Sequence, residues 1–198
     1  DFRDPLLNQL TGEQEKHPLI VMTCHRRENW GQPMEQIFQA VAHLARRYPD
    51  HRVVYPVHMN PAIVQMAEEL LGQETNIHLI EPLDYAPFAN LLASADLILT
   101  DSGGIQEEAP ALGKPILVLR TETERPEAVA AGTVKVVGVE KEDIIREATQ
   151  LLDDPQAYAA MAHAVNPYGD GHASRRIVEA LLYAAGREST PPEQWRGE

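Results

Sequence analysis

Four consecutive residues in the middle of the chain, Asp101-Ser102-Gly103-Gly104, have the composition of an anion-binding loop. They follow a predicted buried strand at 97–100 and precede a predicted helix that starts near Gly104. Glycines let the backbone approach a ligand, and the N–H groups of a helix N-terminus favour negative charge. Ser102 adds a hydroxyl donor. The motif alone leaves two interpretations open: a phosphate site, or a tight turn in which Ser102 caps the helix.

Acidic residues follow this loop inside the same predicted helix. Glu108 is four residues after Gly104, so both positions lie near one helix face. A carboxylate there can accept hydrogen bonds from two vicinal ribose hydroxyls, as acidic residues do in dinucleotide sites. The alternative is a solvated acid favoured by the helix dipole. A ribose role explains better why an anion stands beside a bound phosphate, so we predict that the loop binds a nucleotide diphosphate.

Cationic side chains follow the first predicted strand, at 19–23, of an otherwise acidic chain. They are His25, Arg26 and Arg27. The arginine fork matches paired phosphate oxygens, and a histidine can donate to a phosphate or transfer a proton. The alternative is a solvated loop that contains Arg–Glu pairs. Because parallel strands end at one edge of a sheet, we expect this loop at the same rim as the glycine loop.

Further polar residues are expected at that rim. His58 follows the second predicted strand and Arg125 follows the fifth. A lone histidine is more often structural, but three polar loops on one rim indicate a cleft. Phe88 lies in a short helix predicted at 85–93, and its ring can pack beside a base or in the core. The sequence leaves both of these roles open.

Apolar, β-branched runs alternate with helical patterns along most of the chain. The predicted strands are 19–23, 52–57, 77–80, 97–100, 115–119 and 134–138. The predicted helices are 33–48, 61–71, 85–93, 104–113, 141–152, 155–164 and 174–185. Strands that alternate with helices imply crossovers on both faces of a sheet. The sequence therefore predicts an α/β fold, a Rossmann-like doubly wound parallel sheet of about six strands.

Composition excludes several classes of function. The chain has 198 residues and a net charge of −13, which argues against nucleic-acid binding. No apolar run is long enough to span a membrane. Cys24 is the single cysteine, which rules out an internal disulfide and fits a cytoplasmic protein. The histidines lack metal-ligand spacing, so we expect no metal and no other cofactor. The first residue is not Met, which favours a fragment of a longer protein.

Taken together and in order, these segments resemble the C-terminal domain of the non-hydrolysing UDP-N-acetylglucosamine 2-epimerases. The similarity covers most of 18–184, and its motifs are 25–29, 55–61, 99–110, 113–115, 123–127, 132–133 and 166–171. The family is similar in fold to GT-B glycosyltransferases, in which two Rossmann-like domains face a cleft. The resemblance therefore implies that this chain is the C-terminal half of a GT-B-type enzyme and binds UDP.

The resemblance also implies residue roles. UDP-binding residues would be Phe88 near the uracil, Glu108 at the ribose, and Ser102, Gly103 and Gly104 at the diphosphate. Catalytic roles would fall to His25 and Arg125, and a second, activating UDP-N-acetylglucosamine would contact Arg26 and His58. The implied division of the chain is an interdomain segment at 1–17, a UDP-binding domain at 18–165, a crossover helix at 166–185 and a disordered tail at 186–198.

The family reaction interconverts UDP-N-acetylglucosamine and UDP-N-acetylmannosamine by eliminating UDP and adding it back, in the service of cell-surface polysaccharide synthesis. The family's proton-moving carboxylates come from the N-terminal domain, so we expect this chain alone to bind UDP weakly and not to epimerise. The whole protein is expected to be a homodimer. Two alternatives stay open: the donor-binding domain of a GT-B glycosyltransferase, and a non-catalytic module that binds sugar nucleotides.

Overall fold

Six parallel strands form one sheet in the part of the chain that the computed structural model describes, residues 5–11 and 17–195. The strands are β1 (Leu19–Thr23), β2 (Arg52–Pro56), β3 (Ile77–Ile80), β4 (Leu97–Thr100), β5 (Ile116–Val118) and β6 (Val134–Val136). The helices are α1 (Pro5–Thr11), α2 (Gln32–Arg47), α3 (Pro61–Leu71), α4 (Tyr85–Ser94), α5 (Gly103–Glu108), α6 (Pro126–Ala131), α7 (Lys141–Asp153), α8 (Pro155–Ala162) and α9 (Ala173–Ala184). The predicted α/β class and strand number are confirmed.

The strand order of the sheet reverses direction between β1 and β4. The order is β3-β2-β1-β4-β5-β6, so the chain builds outward in both directions from β1 and β4. In doubly wound sheets, ligands bind outside the carboxyl ends of the strands at this reversal point. Thr23 pairs in register with Thr100, the last residues of β1 and β4. The loop that begins at Cys24 and the loop that begins at Asp101 therefore leave the sheet side by side.

The sheet lies between two helical layers because alternate strand residues point to opposite faces. In β1, Ile20 and Met22 enter one core, and Leu19 and Val21 enter the other. The first core also includes buried residues of α2, α3 and α7, and the second includes those of α1, α4 and α6. All of β1 is buried, as expected for a parallel strand covered on both faces.

Helix ends follow local sequence signals. Pro61 occupies the first turn of α3, where its missing N–H costs nothing, and the Asn60 side chain accepts from the Ala62 N–H at 3.0 Å. The helix predicted at 104–113 is instead α5 followed by a 3₁₀ turn at Ala109–Leu112. Pro110 lacks the N–H that a continuous α-helix would use. Gly113 then ends the turn with a left-handed φ of 63°.

Two short helices were not predicted. Helix α6 has six residues, too few for a clear helical period. Helix α1 lies within the expected interdomain segment at 1–17, and its Leu7 is fully buried in the second core. Part of that segment therefore packs on this domain. Residues 1–4 and 12–16 of the same segment lie outside the described residues.

The C-terminal region contains the predicted helix, α9. Arg176 donates to both oxygens of Asp170 at 2.7 Å, which ties the helix to the turn at 166–171. None of its residues is buried, and it exposes a set of large apolar side chains: Ile177, Val178, Leu181 and Tyr183. Residues 186–195 form neither helix nor strand, and 196–198 lie outside the described residues. Among the helices described, none is long and apolar enough to cross a membrane.

Candidate functional site

A cleft of about 320 Å³ opens at the carboxyl ends of β1 and β4. Five of the predicted site residues line it: His25, Phe88, Ser102, Gly104 and Glu108. Its volume is at the lower end of the range of small-molecule clefts, roughly 300–1,000 Å³. The cleft coincides with the reversal point of the strand order, where doubly wound sheets bind ligands. The structure thus brings together residues that are up to 83 positions apart in sequence, 25 and 108.

The glycine loop leaves hydrogen-bond donors free, as a ligand site does, whereas a simple capped turn would use them internally. Ser102 occupies the N-cap position of α5, but its side chain makes no capping hydrogen bond. Its backbone N–H donates to Thr100 Oγ1 at 3.0 Å, which fixes the loop against β4. The N–H groups of Gly103 and Gly104 belong to the first helical turn, so they have no acceptor within the helix. The Ser102 hydroxyl and these N–H groups are therefore available to an anion.

Two guanidinium groups flank the same loop. A Cβ atom built on Gly103 would lie 3.3 Å from Arg26 Nη2 and 4.0 Å from Arg125 Nη2. Glu107 forms an ion pair with Arg125 Nε and holds that side chain in place. Both arginines therefore reach the glycine that the sequence assigns to the diphosphate. A phosphate group beside Gly103 would find donors on two sides.

Phe88 and Glu108 stand at other parts of the cleft. Phe88 is half-buried: it packs against the second core and also lines the cleft. The two roles that the sequence left open for its ring are thus compatible. Glu108 is exposed on α5 and faces the cleft, as the ribose prediction requires.

The two candidate activator residues have different neighbours. Arg26 lies at Gly103, as described above. His58 is exposed, its Nδ1 accepts from the Asn60 N–H at 3.1 Å, and its ring centroid is 6.3 Å from that of Trp30. The structure therefore brings Arg26 to the glycine loop and places His58 against Trp30.

A buried arginine that the sequence analysis did not single out links two of the polar loops. Arg120 lies two residues after the end of β5 and is 5% exposed. It donates to Glu28 at 2.7 Å and, with both Nη atoms, to Glu124 at 2.6 and 3.0 Å. Because Glu28 follows β1 and Glu124 follows β5, this arginine holds the two loops at a fixed separation. The only sequence signal is a charged residue at the end of an apolar strand.

Acid is expected to weaken this link. Hydrogen bonds from Arg120 lower the pKa of Glu124 from 4.5 to about 2. Because the pKa is lower in the folded state, the stabilisation is complete above about pH 4.5 and is lost as the pH falls towards 2. Replacing Arg120 with methionine should therefore make the urea unfolding midpoint fall less steeply over this window. Arg176 lowers the pKa of Asp170 as well, but this contribution to the acid sensitivity is the same in both proteins and drops out of the comparison. Equal slopes for the two proteins would contradict the role of Arg120.

Comparisons with known proteins agree with this geometry. A family model described as UDP-N-acetylglucosamine 2-epimerase matches residues 3–182. The UDP-N-acetylglucosamine 2-epimerase of Bacillus subtilis is 50% identical over 196 residues, which are 99% of this chain and 50% of that protein. The chain thus spans about half the length of the curated relatives it matches.

Solved structures show the same fold. A crystal structure of a UDP-N-acetylglucosamine 2-epimerase has a TM-score of 0.87 and 47% identity, covering 99% of this chain and 50% of that one. The S. aureus MnaA–UDP co-structure has a TM-score of 0.88 and 46% identity, covering 98% of this chain and 52% of that one.

Proposed function

The chain belongs to the UDP-N-acetylglucosamine 2-epimerase family, and on that premise we propose that it is the UDP-binding half of a non-hydrolysing 2-epimerase. The whole protein would interconvert UDP-N-acetylglucosamine and UDP-N-acetylmannosamine by eliminating UDP and adding it back. The observation that carries the proposal is the cleft at the β1/β4 reversal point, where a glycine loop meets a histidine and two arginines. The family match favours this reading over a glycosyltransferase domain.

The nucleotide would lie along the cleft in a defined order. The diphosphate would bind at Ser102, Gly103 and Gly104, where unpaired N–H groups and the serine hydroxyl can donate. The ribose hydroxyls would donate to Glu108, and the uracil would lie near Phe88. The S. aureus co-structure with UDP supports a nucleotide ligand for this fold, and the resemblance supports the assignment of each part to these residues.

The proposed reaction makes two demands, of which this chain meets one. Negative charge develops on the departing diphosphate, and preorganised donors stabilise such charge most where water is excluded. His25, Arg125 and the glycine loop supply those donors. The C2 proton must also be removed and returned by general acid–base groups. Among the described residues that line the cleft, Glu108 is the one carboxylate. The proton-moving groups are therefore proposed to lie in the other half of the protein.

Titration calorimetry with UDP tests the binding proposal. We expect the chain to bind UDP, and Ser102→Ala to bind it about 10-fold more weakly, because a hydrogen bond to a charged group contributes roughly 1.5–3 kcal/mol. Ser94→Ala is the matched control: its hydroxyl donates to Asn90 O on α4 and does not line the cleft. No heat change with UDP at millimolar concentration would refute the proposal. Equal UDP affinities for Ser102→Ala and the parent would show that Ser102 does not contact the ligand.

The chain alone is expected to leave UDP-N-acetylglucosamine unchanged. Under the proposal, it supplies the site for the leaving group, and the groups that move the C2 proton lie in the other half of the protein. An NMR assay of the sugar nucleotide should therefore show no mannosamine product with this chain, and product with a full-length protein that contains it. Turnover by the isolated chain would contradict the proposed division of labour. Binding without turnover by the full-length protein would favour the non-catalytic alternative.

The rest of the proposal concerns the whole protein. The exposed apolar face of α9 would pack against the missing half, as a crossover helix does, and so explain why none of its residues is buried here. The same face fits the family resemblance at 166–185. A homodimer of the whole protein and a cytoplasmic location remain predictions, which sedimentation and cell fractionation of the full-length protein would test.

A further inference from the structure

A buried carboxylate lies directly beneath the loop that carries His25. Asp101 is fully buried, between the ends of β1 and β4. Burying an ionised carboxylate is costly unless hydrogen bonds compensate it. The partners of its two oxygens therefore indicate what such a buried carboxylate does.

One oxygen of Asp101 has a structural role. Oδ2 accepts from the backbone N–H groups of His25 at 2.9 Å and Arg26 at 2.8 Å, and from Asn29 Nδ2 at 3.1 Å. Asn29 is itself buried and also donates to Leu119 O at 3.1 Å. These contacts hold the loop after β1 against the loop after β4. They account for one oxygen of the carboxylate and leave the other unexplained.

The other oxygen faces the imidazole of His25. Asp101 Oδ1 is buried and has no hydrogen-bond partner among the described residues, and His25 Nδ1 lies 3.3 Å from it. An ionised carboxylate oxygen only accepts, so this contact becomes a hydrogen bond when Nδ1 carries a proton and the ring turns to align it with Oδ1. The His25 side chain is 44% exposed and lines the cleft. The arrangement leaves Nε2 as the ring nitrogen for a ligand.

We propose that Asp101 is a positioning residue, which keeps the proton of His25 on Nδ1 and presents Nε2 to the anion in the cleft. The identity of that anion as the diphosphate of UDP rests on the proposed function. With Nδ1 protonated, Nε2 donates to a phosphate oxygen when the ring carries a second proton, and the carboxylate stabilises the resulting cation. A carboxylate behind a histidine does this in hydrolase triads, where it sets both the tautomer and the charge of the ring.

Asp101→Asn separates this role from the structural one. The amide oxygen can still accept from the N–H groups that Oδ2 now binds, so the loop keeps its anchor. The amide nitrogen then faces Nδ1 and donates to it, which moves the ring proton to Nε2. The substitution leaves the charges of Arg26 and Arg125 at Gly103 and of Glu108 on α5 unchanged. The buried Cys24 thiol, whose pKa is raised by burial and by Asp101, loses only a neighbouring negative charge and stays protonated.

Nitrogen-15 NMR of the histidine side chains is the first test. Protonated and unprotonated ring nitrogens resonate in separate regions, and His25→Gln identifies the signal among the eight histidines. In the parent chain without UDP, at a pH where the ring is neutral, we expect the proton on Nδ1. In Asp101→Asn we expect it on Nε2. A parent ring with its proton on Nε2 would overturn the proposal, and this measurement stands even if the variant does not fold.

A double-mutant cycle on UDP affinity is the second test. If Asp101 acts through His25, Asp101→Asn should weaken UDP binding by up to about 10-fold in the parent, because the ring then donates to the phosphate as a neutral imidazole and no longer as a cation that the carboxylate stabilises. It should change little when His25→Gln is already present. Equal losses in both backgrounds would overturn the proposal. If the parent does not bind UDP, the proposed function fails, and the ring spectrum alone decides the role of Asp101.

Discussion

Replacing Arg125 with methionine, in a full-length protein that contains this chain, is expected to lower kcat about 10²- to 10³-fold, the usual effect of removing one donor to a developing anion. The guanidinium reaches Gly103 and is held by Glu107, so it is already in place before the diphosphate departs. Methionine keeps much of the apolar stem and removes the charge and the donors. Because the negative charge on the leaving group grows in the transition state, kcat should fall more than KM rises.

Arg146→Met is the matched control for this prediction. Arg146 is also an arginine paired with carboxylates, those of Asp143 and Glu147, but it lies on α7 and is neither a neighbour of Gly103 nor part of the cleft lining. Its replacement should leave kcat and KM at parent values. A rise in KM with an unchanged kcat for Arg125→Met would show instead that the arginine holds ground state and transition state equally. That result would contradict the role proposed for it in the departure of UDP.

Gly103→Val is expected to abolish measurable UDP binding by this chain. Even a Cβ at this position would lie 3.3 Å from Arg26 Nη2, so the two methyl groups of valine must displace a guanidinium or fill the space of the diphosphate. We expect a loss of about 100-fold or more, equivalent to about 2.8 kcal/mol. The backbone φ of Gly103 is not in the left-handed region, so the fold should tolerate the change. Calorimetry with UDP and a thermal melt measure both effects.

Ala93→Val tests whether added bulk by itself lowers affinity. Ala93 is exposed on α4 and does not line the cleft, so this variant should bind UDP like the parent. If Gly103→Val also binds UDP like the parent while remaining folded, the diphosphate does not lie at the glycine loop, and the site must be placed elsewhere.

Local sequence signals sufficed to predict the strands that carry the site. Buried parallel strands such as β1 and β4 are continuous apolar runs, and their ends are marked by polar loops. Parallel strands end at one edge, so the sequence could place His25 and Ser102 on a common rim. Their adjacency required the strand order, which puts β1 next to β4. That order depends on tertiary packing, which no local pattern encodes.

The contacts that hold the site residues in place could not be predicted from the sequence either, because they too depend on tertiary packing. Arg120 joins Glu28 to Glu124 across two loops, and Glu107 reaches Arg125 from α5. Such pairs connect residues from different strands and have no periodic signature. The sequence analysis assigned Arg26 through resemblance to an activator site, whereas the structure adds its contact with Gly103.

Chemical-shift mapping of UDP on the nitrogen-15-labelled chain tests the central claim most directly. We predict that the largest changes fall on the backbone N–H groups of Gly103 and Gly104, with further changes at His25 and Phe88. A second groove, of about 510 Å³, lies between α3 and β3 and includes Val57 and Leu79. Changes confined to that groove, or no changes with UDP at millimolar concentration, would contradict the claim that this chain holds UDP at the β1/β4 cleft.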